Sequence, residues 1–159
     1  MKALHLNLMD EAATETLGKT LAEKLFPGAF VAMFGGLGAG KTTLVKALAG
    51  ALGIHDIMSP TFTIVREHTD GETALFHFDA YRLESEEELY AIGFEDYLAR
   101  NGVIVMEWCE NVSYALPAER LEIHISGSGC DAREAELVST APKYDAFIAA
   151  AERLFGGKI

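Results

Sequence analysis

The chain has 159 residues, half of them hydrophobic, and 24 acidic against 13 basic side chains give it a formal net charge of -11. This length and apolar content suit one domain with a buried core and exclude a disordered chain. The acidic balance argues against broad direct binding to nucleic acid or to an anionic membrane surface. Two cysteines are too few for a disulfide framework, and with no leader-like start and no long apolar run we expect a cytosolic protein.

The first two elements lead up to an apolar strand. Leucines alternate with polar residues over positions 4–8, which predicts a short strand. Asp10 suits the N-cap of a helix over residues 11–26, whose leucines repeat at every fourth position, and a Pro-Gly pair ends it. Residues 29–34 are apolar throughout, which favours a strand buried on both faces of a sheet.

A glycine-rich stretch follows this strand and matches the Walker A pattern G-x-x-x-x-G-K-[ST]. Its glycines let successive backbone N–H groups turn toward one phosphate, Lys41 adds a positive charge for the outer phosphates, and Thr42 offers a hydroxyl to Mg²⁺. The periodicity over residues 41–52 predicts a helix whose positive N-terminal end faces the same anion. The residues assigned to nucleotide binding are Gly35, Gly36, Leu37, Gly38, Ala39, Gly40, Lys41, Thr42 and Thr43.

The middle of the chain is typical of a hairpin followed by two short helices. Residues 63–67 and 73–79 are rich in strand-forming side chains and flank an Asp-Gly pair, a strong turn sequence. A Ser-Glu-Glu-Glu run is typical of a capping box and predicts a helix over residues 86–92. A second short helix ends at residues 101–102.

The last third of the chain contains another buried strand and an antiparallel unit. Residues 103–106 are all apolar and predict that strand. Residues 121–125 alternate in polarity, residues 132–139 are expected to pair back on them, and the apolar spacing over residues 144–155 predicts a closing helix. The whole chain is therefore predicted to be a single α/β domain, with a parallel core at the phosphate loop, antiparallel additions and flanking helices.

Two carboxylates at strand ends are candidates for the metal. Hydrolysis of a nucleoside triphosphate with Mg²⁺ needs a carboxylate that holds or orients the ion, and Asp79 and Glu107 each follow an apolar strand. Asp79 could instead cap a turn and Glu107 could be a solvated strand end, so the pattern leaves open which one contacts the metal. Trp108 is interpreted as filling the edge of the core, and His77 as a packed, hydrogen-bonded residue.

Several motifs occur together in one order and at one spacing. They are G-A-G-K-T-T at 38–43, S-P-T-F-T at 59–63, H-F-D-A-Y-R-L at 77–83, E-E-L at 87–89, G-F at 93–94 and E-W at 107–108. Over roughly residues 10–140, this combination resembles the TsaE family, also called YjeE, the bacterial ATPases of transfer-RNA threonylcarbamoyladenosine synthesis. The combination is far more specific than the phosphate loop alone.

The resemblance implies a P-loop NTPase fold that binds ATP with Mg²⁺. It implies partners as well: TsaB and TsaD, which together with TsaC install threonylcarbamoyl on the adenosine next to the anticodon. A protein of this kind hydrolyses ATP weakly alone and supports or resets the TsaB–TsaD complex.

The resemblance also implies roles for individual residues. By this resemblance, Lys41 and the loop amides would bind the phosphates, and Thr42 and Glu107 would bind Mg²⁺. Asp79 matches the family's essential aspartate, which orients water or metal. The implied catalytic residues are therefore Lys41, Asp79 and Glu107.

Three further implications concern the surroundings of the nucleotide. Thr14 and Arg133 match positions that approach it, and residues 59–63 would form a loop that senses it. Family members commonly have an aspartate where this chain has Gly36. The glycine makes the loop more flexible and removes one negative charge, while the Walker pattern stays intact.

Three other functions use the same loop. A small-molecule kinase would need an acceptor pocket and usually an arginine-rich lid, and no clustered arginines follow the loop. A GTP-controlled switch generally contains N-K-x-D, which this sequence lacks. A scaffold that binds nucleotide without turnover would show no hydrolysis when the partner proteins are added.

Overall fold

The computed structural model describes residues 1–35, 40–55, 57, 64–69, 73–127 and 132–156. In these ranges the strands are β1 (Lys2–Leu8), β2 (Phe30–Phe34), β3 (Val65–His68), β4 (Leu75–Asp79), β5 (Val103–Glu107), β6 (Leu121–Ser126) and β7 (Arg133–Ser139). The helices are α1 (Glu11–Ala22), α2 (Lys41–Ala51), α3 (Glu86–Ala91), α4 (Phe94–Ala99) and α5 (Asp145–Phe155). The predictions for Gly36, Leu37, Gly38 and Ala39, for the S-P-T-F-T motif and for the Asp-Gly turn lie outside the described residues.

All of these strands join one mixed sheet in the order β1-β7-β6-β2-β5-β4-β3. The four central strands β6, β2, β5 and β4 run parallel to one another, which confirms the predicted parallel core. The β3–β4 and β6–β7 pairs are antiparallel, as predicted. The sequence assigned no partner to β1, which pairs antiparallel with β7, so that Lys2 lies opposite Ser139.

Both faces of the parallel core are buried. Alternate residues of β2 point to opposite faces, so Val31 and Met33 pack with α1, α2 and α5, whereas Phe30 and Ala32 pack with α3 and α4. β4 divides in the same way, with Leu75 on the first face and its two phenylalanines on the second. This burial on both sides explains why the central strands are continuous apolar runs. In the described part of the chain, none of the helices is both long and apolar enough to cross a membrane.

The predicted helix starts are confirmed by their capping side chains. Asp10 Oδ1 accepts a hydrogen bond from the Ala13 N–H at 2.8 Å, and Ser85 Oγ accepts one from the Glu88 N–H at 3.4 Å. In a full capping box the Glu88 carboxylate would accept from the N–H of Ser85, but here it accepts from the N–H of Glu84 at 2.9 Å.

The predicted end of the first helix is wrong. α1 ends at Ala22, four residues before Phe26, because tight turns follow it and Pro27 disfavours helical backbone at the residue before it. Leu25 and Phe26 still pack against the core, and the Phe26 ring lies 5.3 Å from the Tyr144 ring. The apolar periodicity therefore continues past the helix, which is why the sequence predicts a longer one.

Candidate active site

Two buried carboxylates lie side by side at one edge of the sheet. Asp79 of β4 is opposite Glu107 of β5 in the parallel register, and only 4% of Asp79 and 5% of Glu107 is exposed. β2 pairs with β5 and ends at Phe34, immediately before Gly35. Because parallel strands end at the same edge, both carboxylates and the start of the Walker stretch meet there. The alternative of a solvated Glu107 is therefore excluded.

The Lys41 side chain reaches back to this edge from the first turn of α2. The residue is 5% exposed, and its amino group donates a hydrogen bond to the Gly35 carbonyl oxygen at 2.6 Å. Burial lowers the pKa of Lys41, and the negative charges of Glu107, Glu110 and Asp79 act in the opposite direction. The structure thus brings the predicted cation and both predicted carboxylates into one electrostatic neighbourhood.

The N-terminus of α2 faces the same region. Its first residue follows Gly40, which has a φ of +96°, a left-handed conformation that favours glycine. Gly40 has no side chain with which to cap the first N–H groups of α2, so the positive end of the helix suits an anion. Thr42 is exposed in this first turn, and the Thr43 hydroxyl donates to Glu11 Oε1 at 3.4 Å.

Thr14 and Arg133, which only the resemblance singled out, also lie beside the start of α2. They help to line a cavity of about 160 Å³, formed by Glu11, Thr14, Gly40, Thr43 and Arg133. Arg133 is the first residue of β7, and a Cβ atom on Gly40 would lie 3.4 Å from its Nε. The structure therefore brings both residues to the end of the Walker stretch that is described.

Asp79 does cap a turn, as one of the two sequence interpretations had it. Its Oδ1 accepts a hydrogen bond from the Tyr81 N–H at 2.9 Å, where the chain leaves β4. The same hydrogen bond therefore closes the turn and fixes the Asp79 carboxylate at the end of β4.

His77 is packed and hydrogen-bonded, as predicted from the sequence. It is 1% exposed, and its Nε2 lies 2.5 Å from Glu107 Oε2. The sequence did not indicate the partner, because the contact depends on the register between β4 and β5. The one usable clue was the alternation along β4, which puts His77 on the same face as Asp79.

Trp108 and Glu110 belong to the site although the sequence did not assign them to it. Trp108 packs at the edge of the core as predicted, but Lys41 Nζ also lies 3.7 Å from the centroid of its indole ring. Trp108 has a φ of +60° and precedes a tight 3-10 turn, Cys109–Asn111. Within this turn, Glu110 Oε2 accepts a hydrogen bond from the Gly35 N–H at 3.2 Å. No pattern in the sequence points to Glu110.

With this geometry established, the comparisons with known proteins identify the family. The model for the threonylcarbamoyl adenosine biosynthesis protein TsaE matches residues 8–135. The chain belongs to the TsaE family. The match confirms the resemblance drawn from the motifs.

Relatives of the family span most of the chain. The TsaE protein of Bacillus subtilis is 39% identical over 146 residues, which is 91% of each chain. The TsaE protein of Haemophilus influenzae is 34% identical over 145 residues, 87% of this chain and 91% of that relative. The crystal structure of Bacillus subtilis YdiB is similar with a TM-score of 0.81, at 33% identity and covering 96% of both chains.

The donor chemistry of this site fits a phosphate group and Mg²⁺. A buried ammonium and a helix N-terminus suit a phosphate, and a buried carboxylate suits a hard divalent ion. Among the described residues, no group of three or more His, Cys, Asp or Glu side chains could hold a metal.

Proposed function

We propose that the chain is a Mg²⁺-dependent ATPase with a P-loop fold, and that it supports threonylcarbamoylation of the transfer-RNA adenosine next to the anticodon by acting on the TsaB–TsaD complex in the cytoplasm. One observation carries the proposal. The Lys41 ammonium lies in the field of Asp79 and Glu107, at the carboxyl edge of parallel strands and at the N-terminus of the helix that follows a Walker A sequence.

In this proposal Lys41 binds the outer phosphates of ATP. Its present contacts are a neutral carbonyl oxygen and an indole ring. A phosphate oxygen is a stronger acceptor for an ammonium group than a carbonyl oxygen. The exchange therefore favours nucleotide binding, and the backbone N–H groups at the start of α2 add to it.

Thr42 and Glu107 are the residues that would hold Mg²⁺, the first through its hydroxyl and the second through its carboxylate. Bound there, the ion would neutralise charge that develops on the phosphate oxygens. Asp79 lies next to Glu107 and would orient the attacking water, with its own position fixed by the Tyr81 N–H. The protein's contribution is thus positioning and electrostatic stabilisation.

The nucleoside end of ATP is assigned to the cavity beside α2. Thr43 follows the pair that handles the outer phosphates and the metal, and the cavity continues from it to Thr14 and Arg133. The guanidinium of Arg133 suits an inner phosphate or a base edge, because it presents several donors in one plane.

The test is phosphate release from ATP, measured with and without the TsaB and TsaD proteins of the same organism. We expect slow Mg²⁺-dependent hydrolysis by the chain alone and faster hydrolysis with the pair. Lys41→Ala should lower turnover by about 100-fold or more, because it removes a charge aimed at the transferred phosphate. Lys24→Ala, at an exposed lysine beyond the end of α1, is the matched control and should behave like the wild type.

The same proteins also test the biological role. Expression of the wild-type chain should restore threonylcarbamoyladenosine in the transfer RNA of cells that lack their own TsaE, and the Lys41→Ala chain should not. Unchanged ATP binding and turnover in Lys41→Ala would show that the site is assigned to the wrong residues. Rapid phosphate transfer to a metabolite would support a kinase instead.

A further inference from the structure

His77 holds a carboxylate that the proposed function assigns to Mg²⁺. The ring lies in the middle of β4 and is 1% exposed, and Glu107 at the end of β5 is 5% exposed. Their contact, between Nε2 and Oε2, is 2.5 Å long. Burying a carboxylate raises the free energy of the folded protein unless a hydrogen-bond donor satisfies it. The contact with His77 therefore stabilises Glu107 in its buried position.

The donor in this contact is the histidine. In the proposed function Glu107 binds Mg²⁺ as a carboxylate, which can only accept hydrogen bonds, so Nε2 is the donor in that state. Within the part of the chain that the structure describes, Nδ1 has no hydrogen-bond partner. Among the described residues, Glu107 is therefore the one hydrogen-bond partner of the His77 ring.

A competing partner for Glu107 lies close by. Among the charges that act on Lys41, that of Glu107 has the largest effect. A carboxylate with no other donor would turn toward this ammonium, because opposite charges attract strongly where water is excluded. An ion pair between Lys41 and Glu107 would occupy the group proposed to bind phosphate and the group proposed to bind Mg²⁺.

We propose that His77 is a positioning residue for the metal: by binding Oε2 of Glu107 it keeps the carboxylate away from Lys41 and leaves Oε1 for Mg²⁺. The inference rests on the proposed function and adds a residue to it. His77 contacts neither nucleotide nor metal in this account, and its effect is transmitted through Glu107 alone. Such residues commonly alter metal affinity by about 10- to 100-fold when they are replaced.

The experiment compares two variants of His77 whose amide side chains differ in length. The amide nitrogen of His77→Gln falls near the original Nε2 and can still donate to Glu107, whereas that of the shorter His77→Asn falls near Nδ1 and cannot. His77→Leu removes the donor altogether. Calorimetry would give the affinity of each full-length variant for ADP, once with Mg²⁺ and once with a chelator, and thermal melting would check that each is folded.

We expect Mg²⁺ to strengthen ADP binding in the wild type and in His77→Gln. In His77→Asn and His77→Leu that strengthening should fall by about 10-fold or more, while the affinity without Mg²⁺ stays unchanged. His5→Leu breaks another His–Glu pair, in which the exposed His5 contacts Glu136 at 2.9 Å, and should leave both affinities as they are. If His77→Leu fails to fold, the Gln and Asn variants alone decide the question.

Two results would overturn the inference. One is an Asn variant that retains the full effect of Mg²⁺, and the other is an equal loss of affinity with and without Mg²⁺, which indicates a merely structural role. Failure of the proposed function looks different, because the wild type itself would then bind ADP with no effect of Mg²⁺. That outcome would overturn the inference as well.

Discussion

Lys41 Nζ lies 3.7 Å from the centroid of the Trp108 ring while it donates a hydrogen bond to the Gly35 carbonyl oxygen. A cation above an indole face is attracted by the negative charge of that face, and the attraction is stronger where water is excluded. The two contacts together satisfy an ammonium group whose pKa is lowered by burial. The lysine that we propose binds phosphate is therefore held by two neutral groups.

Displacement of Lys41 from the indole should be visible in fluorescence. Trp108 is the only tryptophan in the chain, so the emission has a single source. Adding ADP is expected to change its intensity or wavelength, because the phosphate draws the ammonium away from the ring. Lys41→Met, which has no charge to withdraw, should lose most of the change, whereas Lys46→Met on the exposed face of α2 should retain it. Constant wild-type emission at saturating ADP would contradict the displacement.

Asp79 caps a turn and, in the proposed function, orients water, and two substitutions can separate these roles. Asp79→Asn keeps an oxygen that can accept from the Tyr81 N–H, so its free energy of unfolding should stay within about 0.5 kcal/mol of the wild type. Asp79→Ala removes the acceptor and should lose about 1 kcal/mol, the usual effect of a missing cap. Urea denaturation measures both values.

Both Asp79 variants should nevertheless hydrolyse ATP more slowly by about 100-fold, because neither retains the charge that we propose orients water. Near-normal hydrolysis by the Asn variant would mean that the carboxylate serves only the turn. In that case the water would have to be oriented by another group.

The Cys109 thiol should be inert while the protein is folded. The residue is 0% exposed, and burial raises its pKa far above the usual value of a thiol, so the reactive thiolate is suppressed in the folded state. As the pH rises through about 9 the unfolded thiol ionises and the folded one does not, so this group destabilises the fold progressively in alkali. In a Cys130→Ser background, alkylation at pH 9 should therefore follow the unfolding transition in urea. Fast alkylation without denaturant would contradict this.

The sequence predicts the elements of this fold better than the way in which they are joined. Continuous apolar runs identify β2 and β5 as central strands, because only a strand covered on both faces needs them. The alternation in β1 indicates one buried face but does not name a neighbour, and its pairing with β7 joins opposite ends of the chain. The end of α1 is mispredicted since Leu25 and Phe26 pack on the core without being helical.

The candidate site shows the same division. The Walker pattern and the apolar strands single out Lys41, Asp79 and Glu107, because each chemical role demands a residue type at a strand end or a helix start. The contacts between His77 and Glu107, and between Glu110 and the Gly35 N–H, depend on strand register and on the turn after Trp108. A single sequence contains no record of either.

Two glycines in neighbouring helices offer the sharpest test of how α1 and α2 fit together. A Cβ atom on Gly18 of α1 would lie 2.7 Å from Ala47 Cβ and 2.9 Å from the Leu44 carbonyl oxygen, both in α2. The nearest atom to a Cβ on Gly50 of α2 would be His55 Nδ1, at 4.0 Å. Alanine at position 18 therefore forces the two helices apart, whereas alanine at position 50 fits without a clash.

Gly18→Ala should lower the free energy of unfolding by about 1–2 kcal/mol, since overpacking outweighs the gain in helix propensity. Gly50→Ala, where only the propensity changes, should raise it by up to about 1 kcal/mol. Because α1 places Thr14 beside Thr43, the Gly18 variant should also bind ADP more weakly, whereas the Gly50 variant should bind it normally. Urea denaturation and calorimetry measure the two effects, and equal stability of the two variants would show that the helices can separate without cost.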